Sequence, residues 1–174
     1  GELALDQGDS TAARSHLLTG LALVKGLAGH APAACRFLHW LGHVAEADER
    51  PDEAVACYAE ARELAASRDD AFFQAVATRG LASAAIEQGD LPAARHLLRE
   101  TVALSRQVEN ATVDNAVILT YFARLAAVEG HAERAMRLAG AASALLDETG
   151  THLFRHDREL LERRLQACRR LLTP

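Results

Sequence analysis

Aromatic side chains are scarce in this sequence, at 5% of 174 residues with a single tryptophan. That excludes a core built on stacked rings. The hydrophobic fraction is nonetheless 49%, dominated by alanine and leucine, which suits helices packed closely through small side chains. Cysteine is sparse too. Cys35, Cys57 and Cys168 are odd in number, far apart and form no CxxC pair, so a disulfide framework is excluded. They read as small buried residues of a reducing cytoplasm. No run of 18 or more apolar residues occurs, so no membrane span is expected, and Gly1-Glu2-Leu3-Ala4 lacks the basic start of a signal peptide. An excess of positive charge is also missing: the net charge is −5, which weighs against direct nucleic-acid contact. No glycine-rich phosphate loop, HExxH or GxSxG motif is present, and the histidines are scattered, so no enzyme and no cofactor are expected.

What the sequence has is a repeat. Gly8, Glu49, Gly89 and Gly130 stand at the centre of related tripeptides, in steps of 41, 40 and 41 residues. Five residues after each comes an alanine: Ala13, Ala54, Ala94 and Ala135. A period in this range marks a solenoid, in which each unit buries its apolar face only by stacking on neighbours.

Two kinds of break alternate along the chain. One is the Gly-Asp or Pro signal at 8–10, 49–52, 89–92 and 130–132, where Asp9 and Asp90 are suited to helix N-caps and Pro51 and Pro92 to a first turn. The other lies midway, at Gly29-His30-Ala31-Pro32, Ser67-Arg68-Asp69-Asp70, Glu109-Asn110 and Thr149-Gly150-Thr151. Between breaks, apolar residues recur at i, i+3, i+4 and i+7, and no alternating strand pattern appears. The sequence predicts an all-α protein with helices near 10–28, 31–48, 51–67, 70–88, 91–107, 111–129, 131–148 and 154–172. Consecutive pairs form antiparallel hairpins in units of about 1–28, 31–67, 70–107 and 111–148, with 154–172 as a cap. One domain over 1–174 is expected. Because the first hairpin lacks most of its leading helix, the chain reads as a piece of something longer.

The units resemble tetratricopeptide repeats. The second reads Leu38-x-x-Leu41-Gly42-x-x-Ala45, then Ala54-x-x-x-Tyr58 and Ala61. The third reads Thr78-x-x-Leu81-Ala82-x-x-Ala85, then Ala94-x-x-x-Leu98, and the fourth Leu119-x-x-Phe122-Ala123-x-x-Ala126, then Ala135-x-x-x-Ala139. Small residues at 42, 82 and 123 let the helices of a hairpin approach closely. The units exceed the family's usual period of about 34 residues. In this, and in residues 130–172, they resemble the long repeats at the C-terminal end of large bacterial ATPase-containing regulators, LuxR-type or cyclase-linked. The resemblance implies a right-handed superhelix of helix hairpins whose leading helices line a concave inner surface.

On the helix at 31–48, Arg36, His39, His43 and Glu46 fall opposite Leu38, Leu41, Gly42 and Ala45, at about 100° per residue. The same register brings forward Arg79, Ser83 and Glu87 in the next hairpin, and Thr120 and Arg124 in the fourth. These nine residues are the candidate groove, of mixed charge and suited to an extended or helical peptide. Charged faces of this kind usually need no partner, so the ordinary reading of these residues is a solvated helix face. The Cys35-x3-His39-x3-His43 series has a spacing that zinc tolerates, but one helix offers too few ligands, so no metal is expected. The arginine-rich last helix carries an apolar stripe of Leu153, Phe154, Leu160, Leu161, Leu165 and Cys168, and reads as a cap on the last repeat.

The function expected is a cytoplasmic, non-enzymatic interaction or sensing domain of a bacterial signalling or transcription regulator. Its partner would be a protein, a peptide or another domain of the same chain. Alternatives are a small-molecule inducer sensor and a standalone adaptor. Exposed Leu17, Leu21 and Leu23 in the first hairpin leave room for a homodimer through end hairpins.

Overall fold

The computed structural model describes residues 9–25, 27, 29–108 and 112–172. The turn around Gly8, the start of the first unit and the Glu109-Asn110 break lie outside the described residues. Among the described residues there are eight helices and no strand: α1 (Ser10–Val24), α2 (Ala31–Ala47), α3 (Pro51–Ala66), α4 (Ala71–Gln88), α5 (Leu91–Ser105), α6 (Thr112–Val128), α7 (Ala132–Thr149) and α8 (Arg155–Leu172).

Their starts follow local chemistry. The carboxylates of Asp9, Asp70 and Asp90 each accept a hydrogen bond from the backbone N–H three residues on, at 2.9, 3.0 and 3.0 Å. Pro32, Pro51 and Pro92 occupy first-turn positions whose N–H has no helical partner anyway. Gly89 and Gly130 end α4 and α6 in the left-handed region, at φ 79° and 81°. The equivalent residue after α2 is Glu49, which takes the same conformation at φ 56° without the steric freedom of glycine.

The helices pair as α2–α3, α4–α5 and α6–α7, and each hairpin stacks on the next through α3–α4 and α5–α6. The recurring alanines Ala13, Ala54, Ala94 and Ala135 have no exposed surface. They pack in the apolar clusters between neighbouring helices, and a larger side chain there would have to displace its neighbours. Tyr58 shows how tight this is. An added Cβ at Gly42 would lie 2.3 Å from its ring, and one at Gly80 2.5 Å, so two helices leave out side chains to admit one. Leu17 is buried against Trp40 and Val44, not exposed as the sequence suggested, whereas Leu23 is 70% exposed.

Helices α2, α4 and α6 form a row along the inner side of the stack. Helix α8 has no hairpin partner, and its two halves use different surfaces. Leu161, Leu165 and Cys168 pack on Ala123, Ala126, Ala135 and Ala139 of the last hairpin. The front half, up to Arg164, together with Phe154 just before the helix, reaches across the inner face to α2 and α4.

Candidate functional site

The inner face of α2, α4 and α6 is where the polar residues of the leading helices converge. Of the nine residues picked out from sequence, His39, His43, Arg79, Ser83, Thr120 and Arg124 are buried, and the Glu46 side chain is 8% exposed. This inner face is therefore covered. Helix α8 supplies the cover, because its own hydrophobic stripe must be buried and the last hairpin accommodates only the rear half. Glu87 is partly exposed at the edge. Arg36 is exposed and stands apart from the cluster.

Asp157 of α8 is the centre of the contact. It accepts a hydrogen bond from the Tyr121 hydroxyl at 2.8 Å and lies 3.8 Å from the Arg124 guanidinium. Arg124 also donates to Ser83 Oγ and Glu87 Oε1, both at 3.0 Å, and stacks 5.0 Å from the Tyr121 ring centroid. Arg164 of α8 closes the far side on Glu87 Oε2 at 3.0 Å. Arg79 is paired with Asp114, which in turn accepts from Ser105. Buried guanidinium groups are tolerated only when paired and hydrogen-bonded in this way. Arg79 and Arg124 thus hold the inner face together.

At the α2 end the contact is aromatic and imidazole. The Phe154 ring meets Trp40 edge-on, with centroids 4.2 Å apart. His43 Nε2 lies 3.1 Å from His39 Nε2, so one neutral ring donates to the other. Burial, with His43 and Arg79 nearby, holds His39 well below 6.5, and burial likewise pushes His43 down to about 4. Cys35, at the same spacing, does not join them. Its thiol faces the Ala61 carbonyl at 3.6 Å, packed by Ala65 and Phe73. The series thus splits between two surfaces, and among the described residues no group of three His, Cys, Asp or Glu is placed to hold a metal.

Glu46 links both ends of the cluster. Its Oε2 accepts from the Tyr58 hydroxyl at 3.0 Å and lies 3.7 Å from His156 Nε2 and 3.9 Å from His43 Nδ1. Burial raises its carboxyl to about 7. Asp157 is held below the ordinary carboxylate value: burial works to raise it, and is outweighed by His43, Arg124 and the Tyr121 hydrogen bond.

Sequence reasoning missed Asp157, His156, Tyr58 and Tyr121 as members of this cluster. Asp157 carried a signal, since it stands three residues after Phe154 and three before Leu160, inside the apolar stripe of α8. A carboxylate on a buried stripe requires a partner.

The architecture is that of a tetratricopeptide-like solenoid, and comparison with known proteins agrees. Residues 33–107, covering the α2–α3 and α4–α5 hairpins, match the family model described as Tetratricopeptide repeat. Among solved structures, the nearly identical TPR-like repeats assigned to a kinesin light chain of Podosopora anserina are similar, with a TM-score of 0.59 and 20% identity. The alignment covers 97% of this chain and 86% of that one. A single-residue variant of the same protein gives the same TM-score, identity and coverage. At this identity the likeness establishes the fold. No curated protein matches the chain. Repeats of this kind generally mediate protein–protein contacts and typically carry no catalytic machinery. Among the described residues, no helix is long and apolar enough to cross a membrane.

Proposed function

We propose that this chain is a non-enzymatic protein-interaction domain over residues 1–174, serving a bacterial signalling or transcription regulator, whose inner face is a receptor for a helical segment. Helix α8 is the resident occupant of that receptor. The observation that carries the reading is the seat of Asp157 between Tyr121 and Arg124, an acidic side chain of one helix held by cationic and hydroxyl groups of another unit. A partner helix presenting an aromatic residue, an acidic residue three positions on and a leucine three beyond that would meet the same contacts. The regulator setting is supported by the likeness of residues 130–172 to the closing repeat of such proteins. In that setting, binding a partner shifts the balance between α8 docked and α8 displaced. Of the sequence candidates, His39, His43, Glu46, Arg79, Ser83, Glu87, Thr120 and Arg124 belong to this receptor and Arg36 does not.

The test is competition in trans. A labelled peptide of residues 151–172 is titrated into the full chain and into an Asp157→Ala variant with unchanged helical circular dichroism. The variant should capture the peptide at least about tenfold more tightly, a difference of roughly 1.4 kcal/mol, because its own helix no longer competes as well. Equal or absent uptake by both proteins would sink the reading. A second reading, a small-molecule sensor, is favoured by one specific feature: a cleft of about 480 Å³ beside Glu46, walled on one side by α8.

A further inference from the structure

Charges of alternating sign run across the seam between α8 and the inner face. Asp157 of α8 lies 3.8 Å from the Arg124 guanidinium, Arg124 donates to Glu87 Oε1 at 3.0 Å, and Glu87 Oε2 accepts from Arg164 of α8 at 3.0 Å. The docked helix supplies the two ends of this chain, an acid and a base. The solenoid supplies the middle, a base from α6 and an acid from α4.

Asp157 and Arg164 stand two turns apart on α8. At about 100° per residue they fall within about 20° of one another, on one stripe and about 10 Å apart along the axis. Leu160 is buried between them, and Phe154, three residues before Asp157, meets Trp40. The stripe therefore has a direction: aromatic, acid, leucine, base, read from the N-terminal end. A helix laid the other way brings its base to Arg124 and its acid to Glu87, two like-charge contacts in place of two ion pairs. Glu87 is placed to enforce the difference. It stands at the rim with its side chain 29% exposed, one oxygen turned to the solenoid's own arginine and one to the docked helix. Burial works to raise its carboxyl, but Arg124 and Arg164 outweigh this and hold it below the ordinary value, so it is charged at neutral pH.

We propose that Glu87 sets the direction and register in which the inner face accepts a helix, and that the partner is a helix with an acidic residue and, two turns further on, a basic one. The inference rests on the receptor reading above and adds the half of the motif beyond the leucine. It also defines what is rejected. A helix that is acidic at both positions, or that carries the two charges exchanged, meets Glu87 or Arg124 with a charge of the same sign.

The experiment is peptide capture by the full chain carrying Asp157→Ala and Arg164→Ala together, which removes both of its own ends of the charge chain. It is run in about 0.15 M salt, where distant charges are screened. Three labelled peptides of residues 151–172 are titrated: the natural one, Arg164→Glu, and one with Asp157→Arg and Arg164→Asp, which keeps the net charge and reverses its order. The natural peptide should bind at least about fivefold more tightly than either variant. Adding Glu87→Gln to the protein, which keeps an acceptor for Arg124, should shrink the preference over Arg164→Glu to within about twofold. Equal capture of the natural peptide and either variant would overturn the proposal and leave the receptor standing, and so would a preference that survives Glu87→Gln. No capture of any peptide would overturn the receptor reading itself, and the proposal with it.

Discussion

The outer and inner sides of α2, α4 and α6 solve the same burial problem by opposite means. Outward, toward their hairpin partners, they bury small apolar groups such as Ala45, Ala82 and Ala123 against Ala54, Ala94 and Ala135. Inward they bury His43, Arg79, Ser83 and Arg124 against a helix that brings Asp157 to meet them. The apolar seam is tolerant in chemistry and strict in volume. The polar seam is strict in partner, since removing one member leaves another charged and buried. A contact of the first kind makes a permanent joint. A contact of the second kind can hold a ligand of matching charge pattern and reject others.

The largest effect should come from breaking the polar seam at its centre. Arg124→Ala leaves Asp157, Glu87 and Ser83 without their common partner, and should cost about 3–5 kcal/mol in urea unfolding. A loss below 1 kcal/mol would mean that water replaces the guanidinium and that the seam is open. The apolar seam is tested for strictness by Gly42→Ala. The new methyl would lie 2.3 Å from a Tyr58 ring that Gly80 blocks from the other side, and the expected loss is about 1–3 kcal/mol. An unchanged stability would show that Tyr58 has room to move. Tyr121→Phe removes one hydrogen bond to Asp157 and keeps the ring under Arg124, so a loss of about 2 kcal/mol is expected, below that of Arg124→Ala.

The difference between the seams also has a pH signature. An imidazole titrating at 6.5 when unfolded and at about 4 in the folded chain, as His43 does, leaves the unfolded chain binding more protons between those values. Its share of stability is present above 6.5 and is lost as pH falls toward 4. His39 and His156 are lowered in the same sense. Glu46 acts oppositely: its folded value of about 7 exceeds the ordinary 4.5, so its contribution is present at low pH and fades as pH rises through 7. Three imidazoles outweigh one carboxyl, so the melting temperature should drop between pH 6.5 and 4. Glu46→Gln should steepen that drop. A flat wild-type profile over this range would contradict neutral buried histidines.

The outer seam was legible in the sequence because it is local and periodic. Alanine at 54, 94 and 135, small residues at 42, 82 and 123, and aspartate caps at 9 and 90 each announce themselves within one unit, and the structure puts them at the buried and capping positions. The inner seam was legible in part. The register that separates His43 and Arg124 from the apolar side follows from about 100° per residue. Whether that side meets water depends on where a helix over 30 residues later comes to rest, which periodicity does not encode. Asp157 marked the place, but only its position on an otherwise apolar stripe distinguished it from the other acids of α8. Asp70 was read as part of a break and serves as a cap, a local role that its position before α4 explains.

The most direct test of the seated front half of α8 is a proton NOE experiment on the full chain, where Trp40 is the single tryptophan and its indole signals assign themselves. With ring centroids 4.2 Å apart, cross-peaks between the Trp40 indole and the Phe154 ring are expected, together with contacts from Trp40 to Leu17 and Val44. Cross-peaks to Leu17 and Val44 without any to Phe154 would contradict the account, leaving the inner face of the solenoid uncovered.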